Sequence, residues 1–307
     1  MTGAGSASLA FAKEETFADT LVDSDTDGNP EYYKFGRNPT LTELELANTL
    51  QRMREGDKVE SVDSVAQNLE GAVSVEATVS ADVHADVHDL VFNDGGTGFT
   101  SGRAASGRIY AGVDYLTGTA ERELIGCIPL EYSVSYEQGG MVTYSLSMAY
   151  ADENLATSIT PSNITGPSDG GDVPFHGFTL TVDGATVAKL QSAELSISDI
   201  ARYQWGADRN PVDAVIATPT TSLTVDAIFT GPDRTEIAYG AADATSPQDS
   251  LTSVSGSADL SAAGSSVTTY NLPKLKPDTH SWNDLITGDA DASEDTEFHV
   301  NGGVTVA

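Results

Sequence analysis

The sequence predicts a mainly β protein. Three observations carry that prediction: a two-residue alternation through Val73 to Ser80, a long hairpin signal around Glu137 to Gly140, and a second hairpin signal at Asp183-Gly184. The 307 residues suit two ordinary domains, because a single core stops growing at roughly 250–300 residues. A Pro/Gly-rich polar stretch, 151–173, marks the division.

In chain order, an opening segment from Leu9 to Phe17 leads into the acidic run Asp23-Ser24-Asp25-Thr26-Asp27-Gly28. Thr40 and Glu43 then have capping-box spacing, Leu46, Leu50 and Met53 fall at i, i+4 and i+7, and Gly56 can stop a helix, so a helix is expected from Thr40. Next, Val73, Val75, Ala77 and Val79 point one way, while Ser74, Glu76, Thr78 and Ser80 point the other. That is a half-buried strand. Val83, Val87, Leu90 and Val91 change the period to that of a short amphipathic helix, about Asp82 to Phe92.

From Tyr110 the pattern returns to β, and Leu130–Tyr136 with Met141–Tyr150 form the clearest hairpin in the chain. Beyond the division, Phe178–Val182 and Ala185–Leu190 flank Asp183-Gly184, and Leu195-Ser196-Ile197 continues the pattern. Ser222–Phe229 is a further strand, and Thr235–Ala241 a short helix. Ser246–Ser266 reads as surface loop, and Phe298, Val300, Val304 and Val306 as a final edge strand broken at Gly302-Gly303.

A repeat runs through this order. Tyr33-Lys34-Phe35-Gly36-Arg37-Asn38-Pro39 and the stretch from Tyr203-Gln204-Trp205-Gly206 to Arg209-Asn210-Pro211 share aromatics, a Gly and Arg-Asn-Pro. Each leads to a similar strand centre, Val75-Glu76-Ala77 and Val225-Asp226-Ala227, and then to a helix.

Charge narrows the function classes. With 15 Lys+Arg against 46 Asp+Glu the formal charge is −31, which leaves no overall electrostatic basis for gripping nucleic acid. Asp (28) exceeds Glu (18), and only six Lys remain beside nine Arg. Such a surface repels itself in dilute buffer but not near 1 M salt, where the Debye length is about 3 Å. A very salty cytoplasm is the expected setting. No apolar run approaches the roughly 20 residues a membrane helix needs, and no secretory h-region precedes Lys13 and Glu14, so synthesis in the cytoplasm and no membrane contact are expected. The single cysteine, Cys127, excludes an internal disulfide.

Catalytic motifs are scarce. Gly166-Pro167-Ser168-Asp169-Gly170 fits a nucleophile elbow in letters, but it lies in the Pro/Gly-rich stretch instead of between strand and helix, and reads as loop. No enzyme is expected. His84 and His88, four apart on a helix with Asp82, Asp86 and Asp89 nearby, start a zinc pattern that lacks its third ligand. They are expected on the solvated side, opposite Val83 and Val87. Asp23, Asp25 and Asp27 resemble the first half of a calcium loop, but Lys34 stands where the bidentate Glu belongs. A looser Ca2+ or Mg2+ site, with Glu31 as fourth ligand, is the candidate cation site. No other cofactor is expected.

The chain resembles the tail tube proteins of long-tailed viruses of bacteria and archaea. The resemblance rests on the Leu9–Phe17 opening, on Leu190-Gln191-Ser192-Ala193-Glu194-Leu195-Ser196-Ile197, on Trp205-Gly206 and Asn210-Pro211, and on the Ser222–Phe229 strand. It implies tube-like domains, each a β-sandwich or half-barrel with a short flanking helix, at 1–150 and 174–307, joined by a linker or long loop at 151–173. It also implies self-assembly into stacked rings with a β-lined lumen. Two tube domains per chain predict a homotrimeric ring with pseudo-sixfold symmetry, and a homohexamer is the alternative. Other tail proteins would be partners, and viral DNA would pass through without specific binding, in a virion assembled in the host cytoplasm. Ser74, Glu76 and Thr78 are the expected lumen-facing residues. The competing reading is a cell-surface or adhesin-like β-protein of a halophilic archaeon.

Overall fold

The structure, a computed structural model, describes residues 7–24, 26, 28–115, 118–155, 164–286, 288 and 291–307. The first half contains β1 (Ala7–Lys13), β2 (Tyr32–Tyr33), β3 (Arg37–Ala47), β4 (Leu50–Met53), β5 (Asp63–Ala66), β6 (Glu70–Thr78), α1 (His84–Val91), β7 (Gly107–Tyr115), β8 (Gly118–Glu137) and β9 (Thr143–Tyr150). Two short strands follow, β10 (Asp152–Asn154) and β11 (Ile164–Thr165). The second half contains β12 (Phe178–Val182), β13 (Ala185–Thr186), β14 (Leu190–Ser198), β15 (Ala201–Trp205), β16 (Pro211–Ile216), β17 (Thr220–Ile228), α2 (Asp233–Tyr239), β18 (Val254–Ala262), β19 (Ser265–Asn283), β20 (Ser293–Asn301) and β21 (Thr305–Val306). The mainly β prediction holds, and among the described residues each half has one short α-helix.

The two halves share one topology. β1–β2, β1–β7, β3–β6, β4–β5, β6–β9, β7–β8 and β8–β9 have the counterparts β12–β13, β12–β18, β14–β17, β15–β16, β17–β20, β18–β19 and β19–β20, all antiparallel. Register agrees as well. Gly71 opposite Tyr150 and Thr78 opposite Thr143 are matched, 150 residues later, by Thr221 opposite Val300 and Ile228 opposite Ser293. The strand centres noted in the sequence are therefore equivalent, but the Arg-Asn-Pro copies are not. Arg37-Asn38-Pro39 opens β3, whereas Arg209-Asn210-Pro211 lies at the turn from β15 into β16.

One continuous eight-stranded antiparallel sheet runs β3-β6-β9-β8-β14-β17-β20-β19. Behind it lie β1, β7 and the first part of β8 in one half, and β12, β18 and the first part of β19 in the other. β8 and β19 belong to both layers. β8 pairs with β7 up to Cys127 and with β9 from Ile128, and β19 makes the same change near Leu275. An irregularity marks each crossing, and in β8 Gly126 supplies it with φ of +64° and a Cβ position only 2.9 Å from Ala151. One contiguous core fills the space between the layers, from Phe11, Ile109 and Leu124 to Leu260, Leu272 and Phe298.

Several expectations need correction. The helix from Thr40 is instead β3 followed by the β4–β5 hairpin. Leu46, at the end of one strand, and Leu50 and Met53, in the next, fall on helical spacing because a turn separates the strands, and a bulge between Leu41 and Glu43 disguises the alternation of β3. Ser246–Ser266 is not all surface loop, since β18 starts at Val254 and buries Ala258, Leu260 and Ala262. β20 is no edge, because it sits between β17 and β19; beyond Gly302-Gly303, β21 pairs with β19. Within 151–173, expected as linker or long loop, the described residues include two short strands, β10, paired with β8, and β11, paired with β2, which leave that expectation standing. Both hairpin signals hold: Asp183 (φ +53°) and Gly184 (φ +74°) adopt the left-handed turn that suits the strand twist.

Candidate lumen-facing sheet

Residues opposite one another in a sheet point to the same side, so register gives the chemistry of each face. Across the eight-stranded sheet, Glu76, Ser145, Ser133, Ser196, Ser222 and His299 form one row. Thr78, Thr143, Ser135, Glu194, Thr224 and Glu297 form the next. The rows between them face the core: Ala77, Tyr144, Val134, Leu195, Leu223 and Phe298 are all buried. One side of the sheet is thus mostly hydroxyl and carboxylate, with His299 and Lys276 at its β19–β20 end, and the other is apolar.

Ser74, Glu76 and Thr78 lie together on the polar side, and Val73, Val75 and Val79 are in the core, as the alternation requires. Glu76 is exposed, while Ser74 and Thr78 are covered by neighbouring side chains. The Ser74 hydroxyl lies 3.2 Å from Glu43 Oε2 and 3.1 Å from Ser147 Oγ. An open concavity on this side is lined by Glu76, Ser135, Thr143, Ser192, Glu194 and Thr224. Carboxylates crowd locally: Asp226 stands opposite Asp295, and burial together with that neighbouring charge pushes the Asp226 carboxyl above its usual range. In the sequence, the polar face of β6 alone stands out. The same Ser-x-Ser spacing at Ser133/Ser135, Ser145/Ser147 and Ser222/Thr224 was the available signal for the rest.

The histidine expectation is overturned. His84 and His88 are buried, not solvated, because their imidazoles pack against Tyr132 of β8 and Tyr270 of β19. Both Nε2 atoms meet Tyr270 Oη, at 3.0 and 2.8 Å, and Tyr132 Oη lies 2.7 Å from Tyr270 Oη. Burial depresses both imidazoles, His88 to about 4. Asp86 and Asp89 instead bind Lys13 Nζ, at 3.0 and 2.9 Å, and Asp82 accepts from Ser168. No cluster of metal-ligating side chains occurs among the described residues.

In the acidic loop, Asp23 Oδ2 accepts the Gly28 amide at 2.8 Å and Glu31 accepts the Ser24 amide at 2.9 Å. Asp25 and Asp27 lie outside the described residues. Ser168 sits in a loop, as expected, and Cys127 is a buried free thiol. No helix among the described residues is long and apolar enough to cross a membrane.

A search of curated proteins gives no match. The family model of phage tail tube proteins matches residues 5–298, nearly the whole chain. That match, running over nearly all of a polar-faced sheet with a duplicated topology, places this chain in the phage tail tube protein family, as a structural component of a virion tail.

Proposed function

We propose that the protein forms stacked rings that make up the tail tube and conduct the genome out of the virion. The observation that carries this reading is the eight-stranded sheet with its predominantly hydroxyl and carboxylate face. Turned toward a lumen, that face offers DNA mainly hydroxyls and carboxylates, with Lys274, Lys276 and His299 gathered at its β19–β20 end, and its excess of carboxylates repels phosphates, so the polymer slides. Ser74, Glu76 and Thr78 then belong to the inner wall. The halves, about 1–150 and 174–307, act as two tube domains, so three chains complete a pseudo-sixfold ring. Duplication favours this over six whole subunits, because each chain already contains one junction of the kind a ring repeats, β14 on β8. The scarcity of Lys and the −31 charge support a host with molar internal salt, a halophilic archaeon.

Size-exclusion chromatography and electron microscopy of the purified chain in molar salt test the reading. Rings or tubes of three subunits are expected. Six whole subunits per ring would replace the trimer, and a chain that stays monomeric would overturn the tube assignment.

A further inference from the structure

The sheet ends in two strand edges that are bare among the described residues. β3 pairs only with β6, and the end of β19 beyond Lys276 pairs only with β20. Their counterparts are not bare: inside the chain β14 and β8 pair with each other from Ser192 opposite Glu137 to Ile197 opposite Tyr132. We propose that β3 of one copy docks antiparallel on the end of β19 of a second copy, in the register of the β14–β8 junction. This rests on the ring reading and specifies its subunit contact.

Internal duplication sets the register. Leu44 and Leu195 occupy equivalent places, opposite Val73 and Leu223, which are 150 residues apart. Trp282 and Val134 likewise stand opposite Glu294 and Tyr144. Since Leu195 pairs with Val134, Leu44 meets Trp282, and one step outward Glu45 meets Ser281.

Exposure points to the same contact. Ile197 is fully buried by β8, whereas its equivalent Leu46 is 44 % exposed. Val134 is 3 % exposed and its equivalent Trp282 is 47 %. The hairpins repeat the contrast. β15–β16 is held against the first half, through Ala104 N to Ala214 O (3.1 Å) and Ile216 N to Gly102 O (3.0 Å). β4–β5 leaves Leu50, Met53 and Val65 exposed. Its matching landing site precedes β18, where Leu251 is also exposed. An unpaired edge with Leu46 and Trp282 left exposed beside it invites pairing, and a neighbouring copy is the partner whose edge carries the matching register.

The double variant Glu45→Cys/Ser281→Cys, oxidised in molar salt, tests the proposal; Cys127 is buried and does not compete. A covalent ladder ending in a closed ring is expected, forming at least tenfold faster than with Glu45→Cys/Thr279→Cys. As a second variant, Leu44→Lys/Leu46→Lys should fold with an unchanged far-UV spectrum yet stay monomeric. Rings in the microscope without the Glu45–Ser281 link, or with faster linking at Thr279, would overturn this contact and leave the tube reading standing. Absence of any ring from the unmodified chain would overturn the tube reading itself.

Discussion

The two halves of this chain have the same strands in the same order, yet they treat equivalent positions differently. β14 is sealed between β17 and β8, while β3 has β6 on one side and nothing on the other among the described residues. The helices differ too. Under α1 lie Tyr132 and Tyr144, and in the equivalent places under α2 stand His280 and Glu294. Arg234 Nε reaches Glu294 Oε1 at 2.8 Å, and His280 bridges Thr235 and Thr296 at 3.0 and 2.9 Å. A duplicated topology therefore tolerates a neutral aromatic network in one copy and an ionic one in the other. What it conserves is the alternation of the shared sheet.

The comparison can be broken first at α2. Glu294 is 1 % exposed, so Arg234→Met leaves a buried carboxylate without its partner and should cost about 3–5 kcal/mol in chemical denaturation. Arg234→Met/Glu294→Met should recover most of that, approaching the neutral chemistry of the first half. Next comes the sheet: Ile197→Ala should cost about 2–5 kcal/mol, because its site is fully enclosed. Leu46→Ala, at the equivalent exposed place, should change the melting of the isolated chain little.

Acid acts on both halves, since burial depresses His280 as well, but most strongly on the pair in α1. His88 titrates near 4 in the folded chain and at an ordinary value near 6.5 when unfolded, and burial likewise depresses His84. The unfolded chain therefore binds more protons between these values, so stability is complete above about pH 6.5 and falls as pH drops toward 4. Each buried histidine contributes up to about 1.4 kcal/mol per pH unit in that window. Thermal melts at pH 7 and pH 5 should show this, and His84→Gln/His88→Gln should flatten it. The smallest effect is expected on the polar face: Glu76→Gln should leave stability within about 0.5 kcal/mol.

Much of the fold was legible because alternation is a local signal. β6, β9, β12, β14 and β17 announce themselves through Val73/Val75, Tyr144/Leu146, Leu180/Val182, Leu195/Ile197 and Leu223/Val225. β19 gave no such signal, because Pro273, Pro277 and two lysines interrupt its pattern just where the strand crosses between layers. His84 and His88 were misjudged for a nonlocal reason. Their partners Tyr132 and Tyr270 arrive from strands 48 and 186 residues away in sequence from His84, and no window around a helix reveals a cover that distant. The polar face shows the converse: most of its strands, all but β3 and β19, are readable singly, but only register across the eight makes one surface.

The crossing strands carry a mechanical consequence. Since β8 and β19 run unbroken from one layer into the other, a load applied to one face passes along covalent backbone to its opposite skin. Sliding between the skins would have to tear hydrogen bonds from both ends of these two girders together, so the two layers flex as a single laminated plate.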